Sequence, residues 1–176
     1  KFVRNFAMTK QYLQEMLLRT LCDYHAPGST LIAIQEKITA AGLLHGRGLY
    51  AMSKKLLQTA RKQAEQHEYF LLAVMAIRFE IINLNPNTSP DPKVELNNLY
   101  SEQKRLMEII IRARDHIFLQ SLTLASYLEM PYARSNATDT ARELLKHPLL
   151  LEACEPDIIS LGARYHNTLS RCYFII

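Results

Sequence analysis

Apolar residues recur at three- and four-residue steps through nearly the whole chain, and no run alternates convincingly enough to make a strand. In "MTKQYLQEMLLRTLCDYH", Leu13, Met16, Leu17, Thr20, Leu21 and Tyr24 fall on one helical stripe, which Tyr12 and Leu18 widen. A chain with that period can bury its apolar side chains only as packed helices, so the expected fold class is all-α. The 176 residues suit one domain, 1–176, with a substantial core.

The breaks divide the period into eight helices. "APGS" ends the first, and Ser29 is placed to cap a second running to about Leu44. A third spans about Gly48 to Gln66, with Leu49, Met52, Leu56, Leu57, Ala60 and Ala64 on its apolar side. A fourth, about Glu68 to Leu84, is apolar almost all round and reads as central. Pro86, Pro90 and Pro92 make "NLNPNTSPDP" the clearest loop, and the loop near 85–92 separates helices one to four from five to eight. Helix five starts at Asp91–Pro92 and runs to about Ala113. A sixth, "DHIFLQSLTLASYLEM", ends near Pro131. Asn136 and Asp139 suggest a capping box for a seventh, which stops at His147–Pro148, and an eighth starts at Pro156. Short connections make successive helices antiparallel.

Composition narrows the setting. Three cysteines, Cys22, Cys154 and Cys172, form no CxxC pair and read as reduced thiols of a cytoplasmic protein. The sequons at Asn87 and Asn136 have no secretory context. The longest apolar run, Tyr69 to Ile77, is too short to span a bilayer, so no membrane is expected. Net charge is +4 with acids interleaved among the bases, which accommodates an acidic partner without demanding one. The start at Lys1 and the apolar end "CYFII" suggest a piece of a longer protein.

"GLLHGRGLYAMSKKLLQTARKQAEQHEY", residues 42–69, poses the functional question. Gly42, Gly46, Arg47 and Gly48 precede a cationic helix, yet no Gly-Lys-Ser/Thr and no preceding strand accompany them, so a phosphate loop is set aside. Gly42 and Gly46 read as the end of one helix and the turn to the next. Lys54, Lys55, Arg61 and Lys62 read as a solvated face, because Glu65 and Glu68 dilute them and no aromatic residues interleave as stacking platforms; nucleic acid is disfavoured.

Around the same turn, Ala40, Ala41 and Leu44 come before, and Gly48, Tyr50, Ser53, Leu57 and Ala60 after. "IISLGARY" places Ile158, Leu161, Gly162 and Tyr165 at similar spacing. These fragments resemble the tetratricopeptide repeat, over roughly 29–66 and 158–165. The resemblance implies a right-handed solenoid of stacked hairpins whose small residues allow close helix approach, and a protein that binds a peptide or protein partner without catalysis. It implies no cofactor, and a helix eight that begins an unfinished hairpin. Tyr50, Lys54, Arg61 and Arg78 are the candidate binding residues, as polar-tipped side chains on the best-matched hairpin and its neighbour.

A second resemblance is carried by "RELLKH": Arg142 and His147 are spaced like the paired motif of HEPN-type ribonucleases, which implies acid–base chemistry and phosphate binding. "RKQAEQH", Arg61 to His67, is a looser match. The remaining histidines, His25, His45, His116 and His166, read as satisfied structural residues, with no metal-ligand spacing. No Ser or Cys nucleophile accompanies Asp115–His116. Met52, Met75 and Met107 are expected in the core.

Overall fold

The computed structural model describes the backbone of residues 2–25, 28–84, 91–152 and 158–176, and their side chains except at 2–5, 23 and 25. Among these the chain is helical, with no strand. The elements are α1 (Phe2–His25), α2 (Thr30–Gly46), α3 (Tyr50–Gln66), α4 (Phe70–Ile82), α5 (Pro92–Glu129), α6 (Arg134–Leu144), α7 (Pro148–Leu151) and α8 (Ile159–Ile175). They fall into two compact units, residues 1–99 and 100–176.

In the first unit, α2 packs on α3 and α3 on α4, with a smaller α2–α4 contact. Small residues line the seams: Ala41, Ser53, Ala60, Ala64, Ala73 and Ala76 are fully buried. A minimal side chain at these points lets the helix backbones approach, while Ile34, Leu57 and Ile77 fill the space between. Ser53 Oγ donates to the Ala41 carbonyl at 2.7 Å, and Asn83 Nδ2 donates to Ser53 Oγ at 3.3 Å, so one hydroxyl ties three elements. Ser29 caps α2 as expected, its Oγ accepting from the Ile32 N–H at 3.4 Å.

Two connections of this unit are built alike. The Leu49 N–H reaches back to the Leu44 carbonyl at 3.0 Å, and the Tyr69 N–H to the Ala64 carbonyl at 2.8 Å. Both are the six-to-one bond of a Schellman helix end. The residue before each donor is left-handed: Gly48 with φ +78° and Glu68 with φ +57°. Gly48 therefore makes the α2–α3 turn. Gly42, expected to help end the helix, lies inside α2, and Gly46 is its last residue.

The second unit has its core where α6 and α8 pack together, joined by the later part of α5. Leu119, Ala137, Ala141, Leu144, Leu150, Cys172 and Ile175 are buried there, with Tyr165 and Leu169 packed against them.

Four expectations are corrected. Helices five and six are one helix of 38 residues, about 57 Å long. No Pro or Gly interrupts it after Pro92, and Asp115, where the sixth helix was expected to begin, lies inside it and accepts from Arg114 Nη2 at 2.7 Å. The capping box at Asn136 is absent: α6 starts after Ala133, and Asp139 lies within it, paired with Arg142. Met52, Met75 and Met107 are 59%, 47% and 41% exposed, because the apolar stripes are wider than the surfaces that cover them. At Gly162 a Cβ would meet nothing within 4 Å, so no close helix approach requires that glycine. The expected start of helix eight at Pro156 and the Asn87 sequon lie outside the described residues. Among those residues, no helix is long and apolar enough to cross a membrane.

Candidate functional site

Tyr50, Lys54, Leu57 and Arg61 succeed one another at steps of four, three and four, which sets them on one face of α3. The fully buried Leu57 fixes that face toward the interior, so the cations beside it emerge at the edge of the packing rather than on the open side. Each finds an acid within the first unit. Lys54 Nζ lies 2.6 Å from Glu95 Oε1 in the first turn of α5, and Arg61 Nε lies 3.6 Å from Glu80 Oε1 on α4.

Glu80 is the unusual member. Its side chain is 3% exposed, and Oε1 has no hydrogen-bond partner; the Arg61 contact is longer than a hydrogen bond. Burial raises its pKa from 4.5 to about 6, and Glu95 adds to the shift while Arg61 and Lys54 oppose it. The carboxyl thus titrates close to neutrality beside two cations.

Tyr50 sits at the mouth of the α2–α3 turn, 39% exposed, its ring edge-on to His45 at 4.9 Å. Arg78 is exposed on α4, and its position two residues before the inward Glu80 puts it on the other side of that helix. The structure therefore gathers Tyr50, Lys54 and Arg61 along one face and leaves Arg78 apart. The open side of α3 carries Lys55, Gln58, Thr59, Lys62 and Gln66 instead. Two shallow depressions follow it: about 500 Å³ beside Gln58, Arg61 and Lys62, and about 430 Å³ beside Lys55, Thr59 and Gln63.

Sequence reading missed Glu80, Glu95, and the Ser53–Asn83 bond. Glu80 did leave a signal, since it is the sole acid in the apolar helix "FLLAVMAIRFEII". A buried carboxylate requires a cation nearby, and the two-turn spacing of Lys54 and Arg61 supplied one.

Arg142 and His147 lie in the second unit. Arg142 is exposed and directed at Asp139, with Nη1 to Oδ1 3.3 Å. His147 caps α7, its Nδ1 accepting from the Leu149 N–H at 3.3 Å. Each side chain already has a local structural partner.

Two histidines are not the satisfied residues expected. The buried Nδ1 of His45 and that of His116 have no hydrogen-bond partner. His116 is 2% exposed against Tyr165, at a ring distance of 6.4 Å. Its pKa is lowered, first by burial and then by Arg112, His147 and Arg164, with Asp115 opposing. Among the described residues, no three His, Cys, Asp or Glu side chains are grouped to hold a metal ion.

Compared with protein-family models, with curated proteins and with solved structures, the chain matches none.

Proposed function

We propose that the chain is a non-catalytic interaction protein whose first unit, a tetratricopeptide-like set of helical hairpins, binds a peptide or protein partner. The observation that carries this reading is the α2–α3–α4 packing, in which fully buried alanines and Ser53 draw three successive helices together. Such packing makes a stiff platform, and stiffness lowers the ordering cost of binding. Its uncovered face bears Lys55, Gln58, Thr59, Lys62 and Gln66, while Arg78 stands on the neighbouring helix. These side chains suit hydrogen bonds to an extended peptide and contacts with acidic side chains. Lys54 and Arg61 serve the platform by holding Glu95 and Glu80, and a partner carboxylate would compete for them.

The test is selection of peptides from a random display library on the chain, followed by binding titrations with synthetic peptides. Micromolar binding that weakens about tenfold or more in Lys62→Glu and Arg78→Glu supports the reading. Failure to select any peptide, or affinities unchanged by both substitutions, contradicts it.

A further inference from the structure

Helix α1 presents an apolar face that the rest of the first unit leaves uncovered. Every described side chain from Phe6 to Cys22, and Tyr24, is exposed, including Phe6 at 64% and Leu17 at 55%. The face is organised. Phe6, Lys10, Leu13, Leu17, Thr20 and Tyr24 follow at steps of four, three, four, three and four, the heptad spacing of a helix pair. A trough of about 540 Å³ opens over it between Phe6 and Leu21.

That spacing reads the same in both directions, and so does the chemistry: aromatic, polar, Leu, Leu, polar, aromatic. We propose that α1 pairs antiparallel with α1 of a second copy of this chain, about a two-fold axis near residue 15. The axis sets Leu13 against the second copy's Leu17, Lys10 against its Thr20, and Phe6 against its Tyr24, and each contact occurs twice, as a two-fold interface requires. Each polar layer is matched. Thr20 Oγ1 donates to the Met16 carbonyl at 2.9 Å, which leaves its lone pairs to accept from the Lys10 ammonium. The rings of Phe6 and Tyr24 form an aromatic pair at each end.

The area is sufficient. With Met16 and Leu21 at its margins, the face exposes about 600 Å² of apolar surface per copy, since large side chains carry ~150–250 Å² each and these are half to three-quarters uncovered. Complete burial of this face on both copies removes up to about 1,200 Å², the lower edge of the range for stable interfaces. A lipid surface is the poorer occupant, because Lys10 sits in the middle of the apolar stripe rather than at its edge.

The experiment is light scattering coupled to size exclusion, at tens of micromolar. The expected mass is twice 20.3 kDa. Leu13→Asp combined with Leu17→Asp yields a folded monomer, because both side chains are exposed within one copy, and its melting temperature no longer rises with protein concentration as that of the parent does. Direction is read by oxidative cross-linking with peptide mapping in a Cys22→Ser background. Phe6→Cys with Tyr24→Cys links residue 6 to residue 24 between copies, whereas Phe6→Cys alone forms no 6–6 bond. A monomeric parent chain, or a 6–6 cross-link, overturns the proposal, whether or not the chain binds phosphatidylserine vesicles.

Discussion

Gly48 and Glu68 occupy the same place in two copies of one turn, twenty residues apart, each left-handed and each followed by the N–H that closes the helix end. Glycine adopts that conformation freely, whereas a side chain is strained in it by about 1 kcal/mol. Gly48→Ala is expected to destabilise the first unit by about 1–2 kcal/mol. Glu68→Gly relieves that strain while giving up the contacts of the side chain, and is expected to cost less than Gly48→Ala. Urea unfolding of both variants checks the pair, and equal losses in the two would refute the equivalence of the turns.

Ser53 is fully buried at the α2–α3 seam, and its hydroxyl joins the Ala41 carbonyl to Asn83. Ser53→Ala keeps the small volume and removes the bond, for a loss of about 1 kcal/mol. Ser53→Leu adds volume where there is none, and is expected to cost about 3 kcal/mol or more. The same unfolding measurement ranks them.

These seams show how far the sequence could be read. Ser29 acts within three residues of itself, so its cap was visible locally, whereas the turn assigned to Gly42 and Gly46 is made by Gly48, whose left-handed φ no spacing reveals. The length of α5 was hidden because the apolar pattern was divided between Ala113 and Asp115, although no Pro or Gly stands there to end a helix. In the site, the α3 cations were legible from helical spacing. Their acids were not, since Glu80 and Glu95 reach them across helix contacts separated by 19 and 41 residues in the chain. The exposed methionines mark the same gap, because a stripe in sequence tells what could be buried but not which neighbour covers it.

Glu80 makes the first unit respond to pH. Its folded pKa of about 6 lies above the ordinary 4.5, so between those values the folded state holds a proton that the unfolded state has released. Stability of this unit is therefore expected to rise as pH falls from 7 toward 4.5, by up to about 2 kcal/mol at 1.36 kcal/mol per pKa unit. Glu80→Gln should flatten that rise. Hydrogen exchange of α3 and α4 at pH 7.5 and 5 measures it, and an unchanged slope in the variant would assign the effect elsewhere.

His116 makes the second unit respond in the opposite sense. Its folded pKa lies below 6.5, so on acidification the unfolded state takes up a proton first and the folded state loses stability as pH falls through 6.5. The cations Arg112 and Arg164 reinforce burial in keeping the ring neutral. His116→Phe is expected to reduce the acid sensitivity of α6 and α8 while leaving α3 and α4 unaltered. Hydrogen exchange at pH 7.5 and 5.5, followed unit by unit, decides it.

We propose that the α2–α3–α4 unit is a binding platform. The most direct measurement is hydrogen exchange of the whole chain with and without a saturating display-selected peptide. Protection concentrated on α3 and α4, and abolished by Lys62→Glu with Arg78→Glu, is the expected result. Protection confined to residues 100–176, or none on the first unit at saturation, would contradict it.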